Sequence, residues 1–222
     1  MSSVLGVDWY RSGWVATRLD DGSSPSVAIA ANLPELLALA GDAACIAIDM
    51  PIGLPRKVRE ADLHARAFVG PRRSSVFPAP PREVLYADTY ERANEIAVRV
   101  LDGKKISKQS YALGVNVKLV EDVAHTDERV VEVHPEVSFR ALAGEPLAWA
   151  KTTWNGQLQR RRLLEERAGI ALPDDLGPAG VVPVADVLDS AAAAWSARRY
   201  ATGEAESCPP GARRGEHGVI WY

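Results

Sequence analysis

Cysteine is scarce in this chain. Cys45 and Cys208 are the only two in 222 residues, and without a C-x-x-C spacing they offer neither a disulfide framework nor a zinc site. No apolar run approaches the ~18 residues of a membrane-spanning helix. The opening segment runs from Met1 straight into Val4-Leu5-Gly6-Val7, with no basic leader and no cleavage site, which predicts a cytoplasmic protein. There is no excess of positive charge: Lys+Arg 26 against Asp+Glu 29 gives a formal charge of −3. A chain coated in positive charge, such as a general nucleic-acid packer, is excluded; a local basic groove is not. Internal repeats, low-complexity tracts and a G-x-x-x-x-G-K-[ST] phosphate loop are all missing. What remains is 47% hydrophobic and 25% charged, the balance of a globular domain with a sizeable core.

The apolar runs are short and punctuated. Val4–Trp9 and Trp14–Leu19 read as strands joined by the turn Tyr10-Arg11-Ser12-Gly13, and Ser26–Ala30 as a third after Asp20-Asp21-Gly22. Leu33–Ala40 is helical, with Pro34 at an early position where its missing N–H costs little. Ala44–Asp49 is apolar throughout and too short for a helix, as befits a strand buried on both faces. From residue 53 to about 128 the character changes to helices (Val58–Phe68, Arg82–Val100, Lys108–Val123) between Pro- and Gly-rich loops, Val69–Pro81 the clearest. Arg129–Val133 returns to strand. Helices follow at Thr153–Ala168, stopped by Gly169, and at Pro183–Arg199. Gly218–Tyr222 is a last short strand or an ordered tail. The pattern predicts a single domain, 1–222: an α/β sheet of mixed direction carrying a helical insertion over 53–128.

Acids fall where strands disfavour them. Asp8 nears the end of the first strand, Asp49 closes the apolar fourth, and Glu132 lies within Val130-Val131-Glu132-Val133. On neighbouring strands such carboxylates converge at one sheet edge, where they repel unless a cation lies between them. Oxygen-only ligands suit Mg²⁺ or Mn²⁺. Local readings stand beside this. Asp8 and Asp49 can serve as turn-formers, Glu132 can point to solvent, and Glu136 can open a helix after Pro135. On the last helix, Asp186 and Asp189 share a face three residues apart. They fall outside the apolar stripe of Val184, Val187, Leu188, Ala191 and Trp195, facing either solvent or a metal cleft.

The charge is unevenly distributed. Residues 56–118 sum to +6, leaving −9 for the remainder. Within the basic stretch, Gly70-Pro71-Arg72-Arg73-Ser74-Ser75 is a candidate anion-binding loop, with Lys108 in a second such position at Lys108-Gln109-Ser110. Alternatively, these basic residues pair with acids on neighbouring helices. Arg160-Arg161-Arg162 reads as the wet face of a helix, offset by Glu165 and Glu166.

Five segments in order carry a resemblance: Gly6-Val7-Asp8-Trp9 with Gly13-Trp14 after it, Ala47-Ile48-Asp49-Met50-Pro51-Ile52-Gly53, Gly70-Pro71-Arg72-Arg73-Ser74-Ser75-Val76-Phe77-Pro78, Glu132-Val133-His134-Pro135-Glu136 and Asp186-Val187-Leu188-Asp189-Ser190-Ala191. Together they resemble the domain-of-unknown-function 429 family, predicted nucleases of the RNase H-like superfamily, over essentially the whole chain. The resemblance implies an RNase H-like fold, a five-stranded mixed sheet with its first three strands antiparallel and helices on both faces. It implies divalent-metal ligands at Asp8, Asp49 and Asp189, with Asp186 beside it, and a fifth-strand acid at Glu132. The implied chemistry is hydrolysis of a nucleic-acid phosphodiester with two Mg²⁺ or Mn²⁺ ions roughly 4 Å apart. Asp8, Asp49, Glu132 and Asp189 would be catalytic; Arg72, Arg73, Ser74, Ser75 and Lys108 would bind substrate. His134 is either a proton shuttle or a structural hydrogen-bonder. Two other classes remain open: a non-catalytic nucleotide- or nucleic-acid-binding module, and a phosphotransferase of ATPase/kinase type, weakened by the lack of a second Gly-rich loop or duplicated domain. The chain's DNA or RNA preference is open, as is its oligomeric state, a dimer included.

Overall fold

The computed structural model describes residues 3–11 and 13–222; Ser12 of the expected turn lies outside them. Five strands, β1 (Val4–Tyr10), β2 (Gly13–Leu19), β3 (Ser26–Ala30), β4 (Cys45–Ile48) and β5 (Val130–Glu132), form one sheet in the order β3-β2-β1-β4-β5. The first three are antiparallel neighbours, while β4 lies parallel to β1 and β5 parallel to β4. Between β3 and β4 runs α1 (Leu33–Ala40), opened by Asn32, whose side chain accepts from Glu35 N–H. This is a five-stranded mixed sheet flanked by helices, consistent with an RNase H-like fold.

Strand alternation sorts the core into two layers. Leu5, Val7, Ile46 and Ile48 face α1 and the insertion. Val4, Cys45, Ala47 and Val131 face the opposite layer, built of α6 (Pro135–Ala143), α7 (Trp154–Ala168) and α8 (Val184–Thr202). Each fully buried Leu or Ile contributes about 1.5–3 kcal/mol, so both strand faces are committed. The central contact is α8 against β1. Gly6 permits it, because a Cβ there would lie 1.9 Å from the backbone nitrogen of Ala194 and 2.3 Å from the carbonyl oxygen of Ser190. Where the layers meet, the Thr17 and Ser190 hydroxyls bond each other at 2.7 Å.

The insertion between β4 and β5 holds α2 (Glu60–Val69), a 3₁₀ segment Gly70–Ser75, α3 (Arg82–Leu85), α4 (Tyr90–Val100) and α5 (Lys108–Ala124). The single helix expected over Arg82–Val100 is therefore two. Thr89 takes an extended conformation and caps the second, its hydroxyl accepting from Arg92 N–H. Several basic residues of the insertion are paired, Lys57 with Asp102, Arg99 with Glu83 and Arg82 with Glu121.

Beyond β5 an additional helix, α6, starts at Pro135. The face expected for α8 is too narrow. From Val187 to Ala197 the helix is buried on every side, and Val184, placed in the apolar stripe, is exposed. The chain ends in a small ribbon, β6 (Ser207–Cys208) with β7 (Ile220–Trp221), joined to the main sheet by a parallel bridge between Val133 and Trp221. Trp221 and Tyr222 are buried, so the tail covers the core. Among the described residues, no helix is long and apolar enough to cross a membrane.

Candidate active site

Val7 and Ile48 are partners across β1 and β4, so the next residues, Asp8 within β1 and Asp49 just past the end of β4, stand side by side. Alternation turns both toward α8, the face already occupied by Val4 and Ala47. From α8 come Asp186 and Asp189. Asp8, Asp186 and Asp189 each offer an oxygen lying within 4.8 Å of the others. Asp8 and Asp189 are buried; Asp49 and Asp186 are half-buried. One Asp8 oxygen accepts the Trp9 N–H at 2.8 Å, the local bond a turn-former would make, and the cluster forms nonetheless.

The counter-charge comes from a residue with no sequence signature. Lys151, in the loop between α6 and α7, donates to Asp189 Oδ2 at 2.5 Å. It is the only lysine after residue 118, which is the one hint the sequence offers. Burial, then repulsion from Asp49 and Asp189, pushes the Asp8 carboxyl well above its ordinary range, against the pull of Lys151. Burial raises Asp49, opposed by His134 and Lys151. Asp189 rises to about 6 by burial, opposed by Lys151 and reinforced by Asp49. Burial likewise raises Asp186. Although burial works against its charge, Asp189, Asp49 and Asp8 hold the Lys151 ammonium above its usual range. Four carboxylates against one directly bonded ammonium, with Arg160 and Arg11 adding weaker attraction on Asp189 and Asp186, leave the cluster short of positive charge. A hard divalent cation bound through oxygens fits that donor set.

Beside the cluster is a cavity of about 520 Å³. The strand ends and α8 contribute Asp49 and Asp189, the α6–α7 loop Lys151 and Thr152, and the insertion Arg72, Ser74 and Ser75. Arg72 is set by a buried chain. Its Nε lies 3.4 Å from Glu136 Oε1, and Glu136 Oε2 accepts from Arg160 Nη2 at 2.7 Å. Arg160 Nη1 donates to the carbonyls of Trp149 and Gly156, steadying the loop that carries Lys151. Arg160 is 0% exposed, which corrects its assignment to a wet helix face. A guanidinium with a buried carboxylate partner and two carbonyls can be enclosed, whereas Arg161 and Arg162 remain exposed.

Glu132 does not join the aspartates. It pairs in register with Ile48, and so faces the layer opposite Asp8 and Asp49. Both of its oxygens are taken. Arg59 donates Nη1 to Oε2 at 2.5 Å and Nη2 to Oε1 at 2.6 Å, and Ile52 N–H bonds Oε2 at 2.7 Å. Arg59 also bonds Asp62, whose other oxygen accepts Ala79 N–H at 2.8 Å. This clamp fastens β5 to the insertion and to the cavity wall. Glu121 does similar work nearby, accepting Gly53 N–H and pairing with Arg82. Gly53 is at φ +79°, and a Cβ there would lie 2.4 Å from the nitrogen of Gly218.

His134 caps α6, its Nδ1 accepting Glu136 N–H at 3.2 Å, and also lines the cavity. Glu136 opens α6, as its helix-start reading expected. Lys108 and Arg73 are exposed and stand apart from the described cavity lining. The Lys108 ammonium lies 5.8 Å from the ring centroid of Tyr90, and Ser110 rather than Lys108 reaches the cavity.

A family model described as "Protein of unknown function (DUF429)" matches residues 6–214. No curated protein and no solved structure matches the chain.

Proposed function

The chain belongs to the DUF429 family, and we propose that within it this protein is a metal-dependent nuclease, hydrolysing phosphodiester bonds of nucleic acid with Mg²⁺ or Mn²⁺. The observation that carries the reading is the convergence of Asp8, Asp186 and Asp189 oxygens within 4.8 Å beside a cavity reached by Asp49 and Lys151. Asp8, Asp186 and Asp189 would hold the cation and Asp49 would complete its surroundings. A bound ion of this class supplies a polarised phosphoryl oxygen and a water of lowered pKa. The chain's own groups do the rest. Lys151 presents an ammonium at the cavity edge of the cluster, where a phosphate oxygen would arrive. Arg72, Ser74 and Ser75 offer donors from the facing insertion. The buried clamp of Arg59, Glu132 and Asp62 holds that wall in place.

One observation favours the non-catalytic binding module as a second reading: the Lys151–Asp189 ion pair at 2.5 Å already offsets part of the acidic charge. Calorimetry with Mn²⁺ and cleavage assays on single-stranded, duplex, hybrid and branched substrates separate the two. Asp8→Asn is expected to abolish Mn²⁺-dependent cleavage while leaving the circular dichroism spectrum unchanged. Undiminished cleavage by that variant sinks the nuclease reading.

A further inference from the structure

The cavity's walls say what kind of substrate fits. At about 520 Å³ it is the size of a site that surrounds a small molecule, typically ~300–1,000 Å³. Its insertion-side wall is anchored. Arg66 Nη1 holds the carbonyl of Val76 at 2.6 Å, and Asp62 holds the amide of Ala79 at 2.8 Å. The segment between these ties carries Phe77, which lines the cavity and is 81% exposed. An aromatic ring left in water by an anchored loop is a platform on which a base can stack. Leu113 and Val117 of α5 extend the same apolar surface. The polar groups lie apart from it in kind. Arg72 brings a guanidinium whose Nη2 lacks an acceptor among the described residues, with Ser74 and Ser75 beside it. Asp49, Asp189 and Lys151 mark where a phosphate would react. Asp189 is 2% exposed, so a phosphate meets it only by entering the cavity.

Resting on the nuclease reading, we propose that the cavity takes a single nucleoside phosphate unit, the free end of a strand, with its base against Phe77 and its phosphate toward Lys151 and the aspartates. The enzyme would then work from strand ends. In each cycle a water oxygen bonds to phosphorus and gives up a proton to solvent, the phosphorus–oxygen bond to the neighbouring sugar breaks, and the departing oxygen takes up a proton from solvent. One nucleotide is released per water consumed.

The test compares a linear single-stranded oligonucleotide with a covalently closed circle of the same sequence, using the full chain in Mn²⁺. The linear strand is expected to shorten stepwise to mononucleotides while the circle persists. Opening of the circle at a rate comparable to the linear strand overturns the inference and leaves the nuclease reading standing. Calorimetry with adenosine monophosphate supplies the second arm. Phe77→Ala, a change at an exposed side chain, is expected to weaken binding by about tenfold without changing Mn²⁺ affinity. Arg72→Gln is expected to act in the same direction. Cleavage of neither substrate, with nucleotide binding intact and sensitive to Phe77, removes the nuclease reading and keeps the pocket. Failure of the nucleotide to bind at millimolar concentration, or binding indifferent to both substitutions, overturns the pocket assignment.

Discussion

Replacing Asp189 with Asn removes a buried charge without changing side-chain shape, and the burial of Asp189 sets the size of the effect. Its carboxyl rises from the usual 3.8 to about 6, chiefly because burial disfavours the ionised form. That rise corresponds to about 3 kcal/mol against the folded state once the group is ionised. The sign follows from the folded value exceeding the unfolded one. Between pH 3.8 and 6 the folded protein keeps a proton that the unfolded chain has released, so stability falls as pH rises through that window. Above it the full cost is present. Asp189→Asn escapes that cost, and its amide oxygen still accepts from Lys151. The metal-free variant is therefore expected to be more stable than the parent by up to about 3 kcal/mol at pH 8, and by almost nothing at pH 4. In a chain of this length that is a rise of about 6–12 °C in Tm. Urea denaturation in EDTA from pH 4 to 8 measures it. Added Mn²⁺ should then close the gap, since the parent gains about 2.7 kcal/mol at one hundred times Kd while the variant gains little. A variant no more stable than the parent at pH 8, or one whose gain is the same at pH 4, refutes the account of a strained acidic cluster.

Other consequences are equally specific. If Mn²⁺ binding displaces the Asp189 proton, affinity is expected to tighten by about tenfold per pH unit below about pH 6, and that contribution to level off above it. Calorimetry in buffers of different ionisation enthalpy counts the protons displaced. Gly6→Ala drives a Cβ into the Ala194 backbone and is expected to cost about 1–3 kcal/mol or more, read as a lower urea midpoint. It should also weaken Mn²⁺ binding, because Asp8 and Asp189 sit on the two elements pushed apart. Glu132→Gln removes one of the two carboxylates that hold the buried Arg59, Asp62 keeping its own bonds, and is expected to cost about 1–3 kcal/mol. Mn²⁺ affinity should survive it; loss of that affinity would add Glu132 to the groups that hold the cation.

Much was legible in the order of residues because local physics carries it. The strands of the sheet are short apolar runs between turn signals, and no other local structure suits them. Asp8 and Asp49 stood out because acids are costly at the ends of buried strands. Asp186 and Asp189 stood out because a spacing of three puts two side chains on one helical face. The insertion was visible as a change from strand to helical patterning after residue 53, and the unevenness of charge marked it as basic.

The remainder depended on what lies across from each residue, which a linear pattern does not contain. Glu132 and Asp49 look alike as acids at strand ends. Register places Glu132 beside Ile48 and Asp49 one residue further on, and with side chains alternating that single step sends them to opposite faces. Arg160 has the same chemistry as its neighbours Arg161 and Arg162, yet only Arg160 meets Glu136 and so is enclosed. Lys151 sits in a loop with no periodicity, and its role exists only because the chain folds that loop over Asp189. Sequence alone determined the elements and the acids they carry, since propensity and burial act within a few residues. Tertiary structure decided which acids meet and which cations answer them, since those energies depend on distances between segments far apart in the chain.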